Sequence, residues 1–155
     1  MVPHPFLRRQ FVTAAILAAL AGGSSGATEI QPRRSNDDAE IRAVMSAQAA
    51  AWNRGDIDGF MNGYARSRAT EFISGDKLTR GWQTVRDRYK KKYDSRQKMG
   101  TLTFSELKIT RLNGDAALVT GRWKLVRNGD KPHGRFTLLF RRTLDGWRIT
   151  HDHTS

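Results

Sequence analysis

The chain contains no cysteine. That absence excludes disulfides, thiol nucleophiles and thiolate metal sites together. There is no glycine-rich phosphate loop, nucleophile elbow or haem-attachment sequence, so no cofactor is expected. Acids are in short supply: 15 Asp and Glu against 27 Lys and Arg, a formal net charge of +12. Such a surface attracts anionic ligands and surfaces. No nucleic-acid-binding motif accompanies the charge, so nucleic acid is not an expected partner. The N-terminal apolar run, Phe11 to about Ala21, falls short of the roughly 20 residues that span a bilayer, and no transmembrane segment is expected.

What is present suits one domain. The 155 residues are 38% hydrophobic and 27% charged, an ordinary globular balance with enough chain for a core. The N-terminus reads as an export signal over residues 1–27. Arg8 and Arg9 precede the apolar run, and Ser25, Gly26 and Ala27 fit a small-residue cleavage site. Arg8-Arg9-Gln10-Phe11-Val12 resembles the twin-arginine signal, which is preferred here over a general secretion signal. The protein is therefore expected to be periplasmic or secreted. There, anionic lipid head groups or cell-wall polymers are the expected nonspecific contacts of its basic surface.

Residues 28–35 read as a linker and 36–155 as a single domain. Ser35 or Asn36 is placed to cap a first helix, with Asp37, Asp38 and Glu40 in its first turn. Ile41, Val44, Met45, Gln48, Ala51 and Trp52 form one stripe of that helix, which ends at Gly55. Asp56 can cap a short second helix through Phe60, Met61 and Tyr64. Thr70–Ser74 reads as a strand and Gly75-Asp76 as a turn. A third helix starts near Gly81, with Trp82, Val85, Tyr89 and Tyr93 on one face. Its cations, Arg86, Arg88, Lys90, Lys91 and Lys92, read as a solvated face in preference to an anion-binding patch.

After Met99 the period changes to two. Four strands follow, separated by Asn113-Gly114-Asp115, Asn128-Gly129-Asp130 and Asp145-Gly146, each a hairpin signal. Helices first and an antiparallel meander afterwards make an α+β domain whose sheet buries one face against the helices.

This outline resembles the nuclear transport factor 2-like superfamily. The resemblance rests on "AWNRGDIDGF", on "GW" before the third helix, and on "LNGDAALVTGRW" and "GRFTLLFRRTLDGWRITHDHTS" in the sheet. They look most like its SnoaL-like branch, domain of unknown function 4440. The final stretch also resembles the association domain of calcium/calmodulin-dependent protein kinase II, through its His-x-His-x-Ser ending. The resemblance implies a cone: N-terminal helices packed on a curved antiparallel sheet, with a pocket at the open end. It also implies homo-oligomers, dimers first, through the sheet. The general-base aspartate of ketosteroid isomerases aligns near Ile73, and their oxyanion-hole aspartate near Phe136. Neither can move a proton, so that reaction is not expected. The pocket arginines of the kinase association domain align at Trp123, Thr137 and Thr154, so its carboxylate-binding pocket is not expected either.

Alternation divides the last strand into two faces. Trp147, Ile149, His151 and His153 share one; Arg148, Thr150, Asp152 and Thr154 share the other. His151 and His153 could supply two metal nitrogens, but nothing marks a third ligand, and no metal site is expected. The resemblance turns the Asp152 face to the pocket and the histidine face outward. Asp152 is then a candidate general acid or base, with Tyr64 or His153 as its partner. The alternative is a structural pairing of Asp152 with Arg122, Arg135 or Arg148. Trp52, Phe60, Tyr64, Trp82, Tyr89, Phe104, Trp123, Thr137, Asp152 and Thr154 are the candidate ligand contacts, although aromatics at this spacing mostly build core.

Three functions remain. An exported small-molecule-binding protein with a mainly hydrophobic pocket ranks first. An enzyme of lyase, isomerase or hydrolase type, moving a proton through Asp152 with Tyr64 or His153, ranks close behind. An assembly module using the histidine face ranks third.

Overall fold

The computed structural model describes residues 30–155. The export signal expected over 1–27 and the first residues of the expected linker lie outside them. From Ile30 the chain is already helical: α1 runs Ile30–Asn53. Ser35 and Asn36 therefore lie within a helix and do not begin one. The Asn36 amide donates to Glu40 at 2.6 Å, one turn on, a helix-surface contact and not a cap.

Three shorter helices follow: α2 Ile57–Met61, α3 Trp82–Lys92 and α4 Arg96–Met99. Asp56 caps α2 as its sequence suggests, accepting from the Gly59 amide at 2.7 Å. Six strands make one sheet: β1 Glu71–Ser74, β2 Lys77–Arg80, β3 Thr101–Arg111, β4 Ala116–Val126, β5 His133–Thr143 and β6 Gly146–Thr154. Their order is β2-β1-β6-β5-β4-β3. β3 to β6 form the antiparallel meander. The sheet is nevertheless mixed, because β1 runs parallel to β6. A wholly antiparallel sheet fails here because α2 and its following turn return the chain in the direction of β6. Tyr64 already bridges Ile149 in the parallel sense, and β1 follows after the turn of residues 65–70.

The helices cover one face of this sheet, and the core lies between. Ile41, Met45 and Trp52 of α1 are buried with Val119, Phe140, Trp147 and Ile149 of the strands. Asn53 pins the end of α1 to β3: it accepts from the Leu102 amide at 2.7 Å and donates to the Leu102 carbonyl at 3.0 Å.

Two bulges set which residues face the core. In β3 the register shifts between Ser105 and Lys108, around Glu106 at φ 53°. Leu102 and Phe104 pack inward before the shift, Leu107 and Ile109 after it. In β6 the register shifts so that Phe140 pairs with Ile149 but Leu139 with His151. Thr150 is the extra residue, and its hydroxyl donates to the Leu139 carbonyl at 3.2 Å. Strict alternation along the last strand is thereby broken. Trp147 and Ile149 face inward together with Asp152 and Thr154, not opposite them.

Candidate functional site

A cavity of about 120 Å³ opens between the helices and the sheet. Three helices and five strands supply its wall. α1 contributes Met45, Gln48 and Trp52; α2 contributes Phe60; α3 contributes Arg88, Tyr89, Lys92 and Tyr93. The sheet adds Phe72 and Ser74, Leu102 and Phe104, Trp123 and Leu125, Phe136 and Leu138, and Ile149, Asp152 and Thr154. These strand residues are the inward positions left by the two bulges. The aromatic wall is a packed set in its own right. Trp52 meets Phe60 edge-on at 5.1 Å and Tyr93 at 4.7 Å, and Tyr89 lies 5.2 Å from Phe60. Such geometry holds the rings rigid, so the wall is preformed.

Among the described residues Asp152 is the only acid on that wall, and it is 4% exposed. Its Oδ2 accepts from the Tyr64 hydroxyl at 2.6 Å and its Oδ1 from Thr154 Oγ1 at 2.8 Å. Burial pushes its pKa from 3.8 up to about 6; the Tyr64 and Thr154 hydrogen bonds hold the rise in check. Burial also pushes the Tyr64 phenol well above its ordinary range, with the charge of Asp152 adding to it. Tyr64 therefore stays a hydrogen-bond donor while Asp152 is poised to take up or release a proton near neutrality. That is the protonation balance a general acid or base requires.

Several residues singled out in the sequence meet here: Trp52, Phe60, Tyr64, Tyr89, Phe104, Trp123, Asp152 and Thr154 all line the cavity. Others stand elsewhere. The Trp82 indole donates to the Met61 carbonyl at 2.9 Å and lies beneath Arg66, bracing α3 against α2. Thr137 lies on the outer face, paired with His153, because its neighbours Phe136 and Leu138 take the inward positions. His153 is exposed on that same outer face, away from Asp152 and Tyr64. His151, also outward, meets Glu71 at 3.0 Å. Asp152 makes none of the arginine pairings considered for it. Arg122 and Arg135 reach Glu106 instead, at 2.9 and 3.3 Å, and Arg148 donates to the Trp147 carbonyl.

The sequence did not single out Gln48, Phe136 or Leu138 for the cavity, and it read two further lining residues, Arg88 and Lys92, as part of a solvated face. A signal for the last two was present: Arg88 and Lys92 each precede a cavity tyrosine, Tyr89 and Tyr93, on consecutive turns. Among the described residues no cluster of three or more His, Cys, Asp or Glu is placed to hold a metal ion. Nor is any helix among them long and apolar enough to cross a membrane.

The model of the SnoaL-like domain matches residues 41–155. Among solved structures, an NTF-2 like protein of unknown function from Shewanella oneidensis MR-1 is 40% identical, with a TM-score of 0.74. The match covers 76% of this chain and 98% of that one. A nuclear transport factor 2-like superfamily protein from Salmonella enterica is 25% identical, TM-score 0.63, over 79% of this chain and 92% of that one. A candidate calcium/calmodulin-dependent protein kinase II association domain from Xanthomonas campestris shares the fold at 16% identity. Its TM-score is 0.59, over 75% of this chain and 84% of that one. The comparison with curated proteins finds no match.

Proposed function

Because this chain belongs to the SnoaL-like domain family, whose fold by itself selects no reaction, we propose its function from its own cavity: it is an exported protein that binds a small, mainly apolar molecule. The observation that carries this reading is the aromatic-walled cavity of about 120 Å³ with a few polar groups in its wall, Asp152 with Tyr64 and Thr154 chief among them. An apolar cavity of about 150 Å³ takes up a benzene-sized ring. A few fixed polar atoms in an apolar wall are what orients a ligand. Export rests on Arg8, Arg9 and the apolar run after them. The test is a titration followed by tryptophan fluorescence, since Trp52 and Trp123 both line the cavity. Single-ring and short-chain compounds are expected to change the emission saturably. Ser74→Trp, which fills the cavity from β1, is expected to abolish the response without unfolding the protein. An unsaturable response shared by the variant refutes the reading.

A second reading is favoured by the Tyr64–Asp152 contact and the pKa near 6: the bound molecule is a substrate, and Asp152 moves a proton on it. Turnover by a general base would rise as pH passes about 6 and would be lost in Asp152→Asn. For assembly we propose a homodimer through the outer sheet face. That face carries half-buried Leu118 and Leu139, paired side by side, and the similarity to an association domain supports it. Sedimentation of the wild type against Leu139→Lys tests this, with a monomeric variant expected.

A further inference from the structure

We propose that the molecule held by this cavity is an amphipathic anion: a carboxylate or phosphoryl group gripped by Arg88 and Lys92 at the mouth, with its apolar body among the rings inside. The inference rests on the binding function argued above and adds the chemical class of the ligand.

α3 sorts its cations. Arg86 and Lys90 lie one turn apart and both clamp Asp58 of α2, at 2.5 and 2.9 Å. Their charge is spent on packing two helices together. Arg88 and Lys92, also one turn apart, border the cavity. Among the described residues neither lies within ion-pair distance of a carboxylate. Arg88 instead donates to a neutral group, Thr79 Oγ1, at 2.7 Å, and its guanidinium lies 4.9 Å above the ring of Phe72, itself a cavity residue. These two contacts fix a half-buried cation at the cavity edge and leave its charge uncompensated. Lys92 is exposed beside it, over Tyr93.

The cations continue outward. A groove beside the cavity is lined by Lys77, Thr79, Arg80, Arg88, Lys91 and Lys92, and no acid lines it. Among the described residues Arg80 alone of these cations forms an ion pair, with Glu71 at 2.7 Å. Inside the cavity the one acid, Asp152, is buried behind Tyr64 and Thr154. A ligand entering therefore meets positive charge first and apolar rings afterwards. Arg and Lys at such an edge bind oxyanions through charge-assisted hydrogen bonds.

The experiment is calorimetric titration of the full chain with phenylacetate and hexanoate against their uncharged amides, phenylacetamide and hexanamide, and with phenyl phosphate. The expected result is at least roughly tenfold tighter binding of an anion than of its amide, the scale of one charge-assisted contact. Lys92→Gln, at an exposed side chain, is expected to remove most of that preference, and Arg88→Gln the remainder. Lys90→Gln makes the same change in net charge away from the cavity and is expected to keep it. A preference for phenylacetate or for phenyl phosphate tells which oxyanion fits better, and either supports the proposal. Equal binding of anion and amide, or a preference that survives Lys92→Gln and Arg88→Gln, overturns the proposal and leaves the binding function standing. No binding of any probe at millimolar concentration overturns both.

Discussion

A carboxylic acid kept from water can keep its proton or gather donors, and Asp152 does both. Its two hydroxyl partners, Tyr64 and Thr154, stabilise the charged form, while burial opposes it and prevails. The consequence for stability has a definite sign. A folded pKa of about 6 above an unfolded value near 3.8 means that the native state binds more protons between those values. Stability is thus fully present below about pH 4 and declines as pH rises through 6. Two pKa units correspond to about 3 kcal/mol. Asp152→Asn, uncharged at every pH, is expected to lack this decline. Urea unfolding at about pH 4 and pH 8 should show the variant gaining on the wild type by that order; a pH-independent difference speaks against it. Tyr64→Phe removes a donor to the charged carboxylate, so the Asp152 pKa, followed by NMR, is expected to rise beyond its present value. Residue types and strand ends were enough to single out Asp152 and Tyr64 from the sequence. What could not be read was that Trp147 and Ile149 share the Asp152 side, with the histidines outward as the resemblance implied; that arrangement depends on one inserted residue.

That residue belongs to the scale of the element. A strand's faces are legible only while its period holds, and two bulges reset it. In β3 the reset is visible in the letters: Leu102 and Phe104 alternate on even positions, Leu107 and Ile109 on odd ones. In β6 it is not, because no apolar residue follows Ile149 to reveal the change of phase. The four meander strands were legible from their hairpin turns. β2 and α4 were not: four residues each, they are too short for a period to show and, unlike the equally short β1, with Phe72 and Ile73, they hold no aromatic or β-branched apolar residue. Close packing at the bulge in β3 gives a test. Gly121 of β4 faces Phe136, and a Cβ there would stand 2.6 Å from the Phe136 ring and 2.9 Å from Leu107. Gly121→Ala is expected to push Phe136 into the cavity, costing about 1–3 kcal/mol by overpacking and weakening ligand binding. Thermal unfolding and the fluorescence titration would show both effects.

On the scale of the molecule, one buried aspartate ties the helical layer to three strands. Asp37 of α1 is 3% exposed and pairs with Arg111 at the end of β3, at 2.7 Å, and with Arg142 of β5. Both guanidiniums lie over the ring of Trp147 in β6, at 4.4 and 4.7 Å. The sequence shows Asp37 only as an acid near a helix start; partners 74 and 105 residues away are beyond any local pattern. Asp37→Ala strands two arginines and is expected to cost roughly 3–5 kcal/mol in denaturant unfolding. The proposed export is tested at this scale as well: N-terminal sequencing of the protein recovered from outside the cytoplasm is expected to begin at Thr28. The central claim, a cavity that holds a small anionic organic molecule, is met most directly by native mass spectrometry of the protein purified from its own host. The account predicts wild-type protein carrying an organic adduct, or acquiring one on addition of phenylacetate, and a Ser74→Trp variant that carries none. Wild type and variant with the same bare mass, before and after addition, would contradict it.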